Sequence, residues 1–487
     1  MESKQREWLA PVIAAAVAGT LGVAGTVVRR PWHDELYTLE LARRPVSAIL
    51  QALHLDSGPP GYYLLCHLLY LGGADSVRAL RLLSVAAVMA TALLVVWALP
   101  AGRARWAAAA LFALHPLVLA AAADARAYAV LAALVAAVLL TLTAEPSRRS
   151  TVALGLLLAA ACWIHSLGLI LTGGVFLAGL FLPAKERQRA LLGTLIALIL
   201  HLPWLPVMAR QPASALTWMS RGWQELPAWW RPLLPLTQPG PAAPRTPFLH
   251  VAALPLALAV TGTVLWLFLA AAGATAHRTA RLAASLWLII GAALVVGTVL
   301  LRPIYAPDRA DKILVPLAVA VVAAAALRSR TLLAAVLALS LTGGWATAAT
   351  LGYWKTLPPR PEELAGRALA GLVEPGDLVI VTSWWLLGVR HAVGRQAHGV
   401  RWLTFPLETA RHPGWYDDRQ AQEAAREIPV LERRIRGALR HGHRVCLLRT
   451  PSLASDRLLE RLAGRMGFAP VTGEAPYWQL WVLGTGH

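Results

Sequence analysis

Apolar residues in this chain collect into long blocks parted by short polar stretches. The blocks run at about Leu9–Val28, Leu82–Leu99, Trp106–Ala122, Ala127–Thr143, Thr151–Ile164, Leu167–Leu182, Leu191–Met208, Val251–Ala272, Leu282–Leu301, Ile313–Ala326 and Leu332–Thr350. Each approaches the ~20 residues a helix needs to cross a bilayer, so the pattern predicts about eleven transmembrane helices. The stretch from Thr151 to Leu182 is too long for one span, and His165–Ser166 in its middle predicts a tight turn between two. The first block is a signal peptide or a retained helix. It is long enough to span, and "TVVRRPWHD" after it offers no small-residue cleavage site, which favours the retained helix.

Composition agrees with this pattern. The chain is 57% hydrophobic with only 15% charged residues and a mean hydropathy of +0.55, more apolar surface than a soluble globular protein needs. Basic residues mark alternate loops: Arg103 and Arg105; Arg148 and Arg149; Lys185, Arg187 and Arg189; Arg278 and Arg281; Arg328 and Arg330. These loops, with Lys4 and Arg6, are predicted cytoplasmic by the positive-inside rule. The loops holding Asp34, Asp56, Asp124, Trp218–Trp230 and Arg309 are then external, as is the tail.

Residues 1–353 therefore read as a transmembrane domain, with a first external loop at about 29–77 and a Trp-rich external loop at about 209–249. From residue 354 the composition turns mixed polar, and "LPPRPEE" marks the boundary. In the tail, "GDLVIVTS", "GVRWLTF", "HRVCLLRT" and "YWQLWVLG" read as buried strands, alternating with helical stretches at Glu362–Leu372, Ala421–His441 and Ser455–Met466. That alternation predicts an extracytoplasmic α/β domain over 354–487 with a largely parallel sheet. The fold class is mainly α, a polytopic membrane protein with this appended domain.

The net charge of +19 belongs in part to the loop signal and is not a nucleic-acid signature; a basic outer face suits anionic lipid or a phosphate leaving group. Cys66, Cys162 and Cys446 are scattered, odd in number and without metal spacing, so no disulfide framework is expected.

The first half is nearly free of acids, which makes those of the first external loop informative. Asp34–Glu35 stands in "RRPWHDELYT" and Asp56 in "LDSGPPGYY". Ionisable groups held near a bilayer are costly and read as a site. Two helical pieces are predicted in this loop, Glu35–Leu53 and Tyr62–Leu71, both amphipathic. Asp34 and Glu35 open the first, where acids suit the positive end of a helix; the functional alternative is a general base at the water–membrane boundary. Arg126 and Arg309 are candidates for phosphate oxygens, with snorkelling at a helix end as the plain alternative. His33, His54, His67, His115 and His165 are expected as hydrogen-bonded histidines near the outer face. Asp34, Asp56 and His54, with His33, are candidate ligands of a divalent metal, a question the spacing leaves open. The tryptophans of the second long loop form an interfacial belt, or a lid over a lipid substrate.

The segments "HDELYT", "DSGPPGYYLL", "HPLVLAAAADARAYAV" and "RPIYAPDRADKILVPL", in this order, resemble the GT-C superfamily of integral-membrane glycosyltransferases. They are most similar to the branch of the protein O-mannosyltransferases and lipid A aminoarabinose transferases. The resemblance implies the GT-C type A fold and a lipid-phosphate-linked sugar donor. It also implies inverting transfer of a hexosyl or pentosyl group with a catalytic acid in the first external loop. Asp34 matches that base, Glu35 is its neighbour, and Asp56 before Pro59–Pro60 matches a second acid. Relatives often have His just before the two prolines; here it is Gly58. Asp124, Arg126 and Tyr128 match a short second-loop element, with Arg126 and Tyr128 on the donor phosphate and Asp124, Tyr62 and Tyr63 in acceptor or supporting roles. Arg309 and Lys312 stand where relatives often carry an Arg-Tyr pair, and "DRADK" departs from it. No cofactor is implied beyond the open metal question. The implied partners are a polyprenyl-phosphate-sugar, an extracytoplasmic acceptor (protein, lipid or polysaccharide) and membrane lipids, with no nucleic acid, in a bacterial-type inner membrane. Two rivals are an O-antigen ligase or polymerase, which lacks such a soluble tail, and a lipid flippase, which would favour mid-membrane charges or a repeat between halves.

Overall fold

The computed structural model describes residues 2–212, 277–300, 304–305, 309–326, 330–354, 357–382, 385–407, 424–449, 456–471 and 478–484. The predicted span Val251–Ala272 and almost all of the Trp-rich loop lie outside them. The chain divides into two compact units. Met1–Arg30 with Leu41–Thr356 forms the first; Pro31–Glu40 with Leu357–His487 forms the second.

The first unit is helical. Helix α1 is Glu2–Val28; α2 (His33–Ala42) begins in the second unit's segment and ends in this one. There follow α3 (Val46–Leu53), α4 (Gly61–Leu71), α5 (Val77–Trp97), α6 (Arg103–Ala113), α7 (Pro116–Ala122), α8 (Tyr128–Thr143), α9 (Arg148–Ile164), α10 (Leu167–Leu180), α11 (Ala184–His201) and α12 (Leu205–Arg210). Beyond the undescribed stretch come α13 (Arg278–Leu300), α14 (Val315–Ala326) and α15 (Arg330–Leu351). Among the described residues four helices are long and apolar enough to cross a membrane, or five if α6 and α7 are one broken span; Tyr128–Thr143 and Leu167–Leu180 are apolar but shorter. Small side chains let these helices approach closely: Ala10, Ala14 and Ala18, one turn apart on α1, are buried in the same core as Ala92 and Val95 of α5.

The predicted turn at His165–Ser166 is present, between α9 and α10. Two predicted elements are corrected. Trp106–Ala122 is not one straight span: it breaks at Leu114–His115 with a bend of 58°, because Pro116 supplies no N–H to continue the ladder and instead opens a new helix. The predicted helix Glu35–Leu53 is two helices, parted before Pro45, which restricts the residue ahead of it to extended backbone.

Buried arginines finish several helices. The last carbonyls of a helix have no intrahelical donor. Arg81 donates to the carbonyls of Thr26, Arg29 and Arg30 at the end of α1. Arg105 donates to those of Leu99 and Trp97 past α5, and to Glu7 of α1. Arg189 donates to Leu142 and Ala144 at the end of α8. These bonds, with Thr279 to the Ala98 carbonyl and the Arg278–Glu186 ion pair at 3.1 Å, gather the basic loops around residues 99–105, 144–149, 183–189 and 278 at one end of the unit. The Arg81 cluster marks the other end.

In the second unit α16 (Pro361–Ala370), β1 (Leu378–Thr382), α17 (Leu386–Val393), β2 (Arg401–Phe405), α18 (Ile428–Arg440), β3 (Val445–Arg449), α19 (Asp456–Met466), β4 (Ala469–Pro470) and β5 (Gln479–Leu483) build a five-stranded sheet of order β2-β1-β3-β5-β4. Strands β1 and β3 are buried along their length, as strands covered on both faces must be. Val379, Val381, Cys446 and Leu448 point to α16 and α17; Leu378, Ile380, Val445 and Leu447 point to α18 and α19. The sheet is mixed rather than largely parallel: β2, β1 and β3 are parallel, but β5 and β4 run antiparallel, Val445 facing Leu483 and Ala469 facing Val482. All three cysteines are buried and unpaired.

Candidate active site

At the end of the first unit marked by Arg81, the break after α7 turns the chain so that Asp124 points inward. Its carboxylate is almost wholly buried, 3.7 Å from Arg29 Nη1 and 3.3 Å from Lys312 Nζ. Arg29 also donates to the Ala123 carbonyl, and the Ser84 hydroxyl donates to that of Asp124. Lys312, in a short 3-10 turn at Ala310–Leu314, lies 5.2 Å from the centre of the Tyr128 ring. A carboxylate held between two cations, the buried Lys312 and the half-buried Arg29, stabilises them. Asp124 thus supports the cations of this end.

Beside this ion set lies a small pocket of about 70 Å³, walled by Asp56, Gly58, Tyr62, Tyr63, Arg126 and His165 among others. Arg126 donates to the Tyr63 hydroxyl at 3.3 Å, and the Tyr62 ring meets Tyr63 edge-on. A Cβ at Gly61 would strike the Trp163 carbonyl, so glycine lets the start of α4 lie against the end of α9 and bring both tyrosines here. The Asp56 carboxylate accepts the Ser57 N–H at 2.7 Å and is half-buried. Gln211 ties down the loop around it by donating to the carbonyls of Leu53 and Gly58, and Ser166 does so by donating to that of Ser57. At Gly58 a Cβ would meet nothing within 4 Å, so the absent side chain leaves this wall open.

Two histidines shape the site as helix caps. His115 Nδ1 accepts the Leu117 N–H at the start of α7, and His165 Nδ1 accepts that of Leu167 at the start of α10. Both bonds require an unprotonated Nδ1. For His165, in the turn outside both flanking helices, burial and then the Arg126 and Arg309 charges push the pKa down to about 3, against an opposite pull from Asp56. Its neutral ring lies tilted on Tyr128, 5.2 Å between centres.

The structure thus brings Asp56, Tyr62, Tyr63, Arg126 and Tyr128 to one pocket and pairs Asp124 with Lys312. His54 is exposed and parallel to Trp204, with ring centres 6.2 Å apart. Among the described residues no group of three or more His, Cys, Asp and Glu side chains is placed to hold a metal ion. Asp34 and Glu35 lie in the segment that packs with the second unit. Glu35 is 0% exposed, and its carboxylate accepts the Trp32 N–H at 3.2 Å, the reach-back of a capping residue. Asp34, one residue earlier, is only half-buried, and its carbonyl accepts the Thr38 hydroxyl. Arg29, Arg81 and Gln211 were not singled out by sequence. Arg29 passes for a helix flank, and Arg81 acts on residues more than 50 positions away.

No family model matches the chain, and no curated protein matches it. Solved structures do. The chain is similar to ArnT from Cupriavidus metallidurans bound to undecaprenyl phosphate, with a TM-score of 0.58 and 15% identity over 97% of each chain. Apo ArnT from the same organism gives a TM-score of 0.58 at 14% identity, again over 97% of each chain. A more distant likeness, to an oligosaccharyltransferase of Archaeoglobus fulgidus, has a TM-score of 0.45 at 14% identity, over 80% of this chain and 62% of that one, and carries no argument. The chain shares the fold of ArnT over nearly its whole length, in keeping with the fold that the sequence resemblance leads one to expect.

Proposed function

We propose that this protein is an inverting GT-C glycosyltransferase that moves a sugar from a polyprenyl-phosphate carrier to an extracytoplasmic acceptor. The supporting observation is the concentration of Arg126, Arg309 and Lys312 about the Asp56–Tyr63–His165 pocket, in a chain whose fold is that of a protein crystallised with undecaprenyl phosphate. Transfer from a phosphate needs positive charge where the phosphate departs and a base on the acceptor hydroxyl. Arg126, Tyr128, Arg309 and Lys312 serve the phosphate, with Asp124 and Arg29 fixing Lys312. Asp34 is the base: of the adjacent acids it retains exposure, whereas Glu35 is spent on the helix end. Asp56 supports the acceptor side. The protein spans a bacterial-type inner membrane about eleven times, with the N-terminus cytoplasmic and the α/β domain outside.

The test is release of polyprenyl phosphate by purified protein from a panel of radiolabelled polyprenyl-phosphate sugars. Wild type should turn over at least one donor, and Asp34→Asn should be slower by at least about 10²-fold, the scale of a general base. Equal rates would move the role to Glu35 or Asp56. Lipids that cross a vesicle membrane without turnover would replace the enzyme with a flippase.

A further inference from the structure

At the end of the first unit opposite the candidate site, the C-terminus of α10, the N-terminus of α11 and the N-terminal half of α13 enclose a cavity of about 670 Å³. That is within the ~300–1,000 Å³ of sites built for small ligands. Its polar side carries the guanidinium groups of Arg278 and Arg281 and one acid, Glu186, which pairs with Arg278. Arg281 is exposed, and among the described residues no acid pairs with it. Apart from Ser285, the remaining wall is apolar, with Phe181, Leu182, Leu282, Leu288 and Ile289. Phe181 is 87% exposed, and Phe176, Leu177 and Leu180 continue the bare apolar surface from it along α10. The adjoining stretch Ala184–Arg210, one of the membrane-long helices, has only 28% of its apolar window buried, so most of it faces its surroundings.

We infer that this cavity is a binding site for an anionic glycerophospholipid of the leaflet at that end. Its phosphate sits by Arg278 and Arg281, and its acyl chains run down the exposed apolar side of α10. Basic pockets between helices capture such headgroups, each arginine near the surface contributing about 1 kcal/mol. The sugar carrier's phosphate is a poor occupant: His165 and the candidate site lie at the other end of α10, roughly 20 Å away along its fourteen residues. The inference rests on the membrane placement of the first unit and not on the transfer reaction. It therefore stands or falls apart from the outcome of the donor panel.

The test is native mass spectrometry of the delipidated full-length protein titrated with phosphatidylglycerol or phosphatidylcholine. Wild type should retain one phosphatidylglycerol several-fold better than phosphatidylcholine. Arg281→Gln should weaken that retention about fivefold, from the contribution of one arginine. Arg148→Gln, also a basic loop residue of that end but outside the cavity, should leave it unchanged. Equal retention of the two lipids by wild type, an equal loss with Arg148→Gln, or displacement by equimolar inorganic phosphate would overturn the inference.

Discussion

Arg81 and Arg189 sit at opposite ends of the helical unit and do the same work. Each is buried and spends its N–H groups on the last carbonyls of a neighbouring helix. The two ends part company in what surrounds these arginines. Around Arg189, apart from Arg105, which is likewise buried on helix carbonyls, the cations line a cavity or stand in exposed loops, and one of them pairs with Glu186. Around Arg81, Arg29 and Lys312 turn inward on Asp124, and Arg126 meets Tyr63. A count of arginines does not separate a phosphate site from a topology signal; what the guanidinium groups face does. Helix carbonyls hold the structural arginines, whereas those beside the pocket face a shared acid and a tyrosine, the setting on which their proposed phosphate role rests.

Substitutions can break this contrast. Asp124→Ala removes the acid shared by the buried Lys312 and the half-buried Arg29 and should cost about 3 kcal/mol, read as a large drop in thermal midpoint. The double variant Asp124→Ala/Lys312→Met should recover part of it. Arg126→Gln should slow donor turnover by about 10²–10³-fold while the midpoint barely moves. Arg189→Gln should invert that result, losing about 1–3 kcal/mol of stability with turnover per folded molecule unchanged. If Arg126→Gln behaved like Arg189→Gln, the functional reading of that end would fail.

Acid offers a gentler probe. His165 is neutral when folded, so between its ordinary pKa near 6.5 and about 3 the unfolded chain binds a proton that the folded chain refuses. Stability from this group is complete above pH 6.5 and is lost as pH falls. From pH 6.5 to 5 the decline should reach about 2 kcal/mol and be absent from His165→Gln. Smallest of all, Tyr63→Phe removes one partner of Arg126 and should raise the donor KM by no more than about tenfold, with kcat little changed.

Parts of this architecture are legible in the sequence for clear reasons. His165–Ser166 interrupts an otherwise unbroken apolar run, so the turn is visible. His115–Pro116 is an equivalent break, hidden because apolar residues continue on both sides; the proline at the first helical position was the signal to weigh. The alternation of strands and helices shows in the tail, but strand direction does not, since β5 carries the same apolar pattern whether it runs with β3 or against it. The motifs located Asp56, Tyr63 and Arg126, whose shared pocket depends on contacts across more than 60 residues. The unequal burial of Asp34 and Glu35 is beyond any motif, because adjacent residues of one helix turn face different surroundings.

One placement bears on how the molecule is made. The ten residues Pro31–Glu40 pack with a unit whose other members begin at Leu357, and Arg390 reaches the Glu40 carboxylate at 3.7 Å. The ribosome emits that segment first and its packing partners more than 300 residues later, an interval of roughly 15–60 s at ordinary synthesis rates. Until translation is nearly complete, Asp34 lacks the setting in which it is found here, so a chain stalled in mid-synthesis carries the proposed base but not its scaffold.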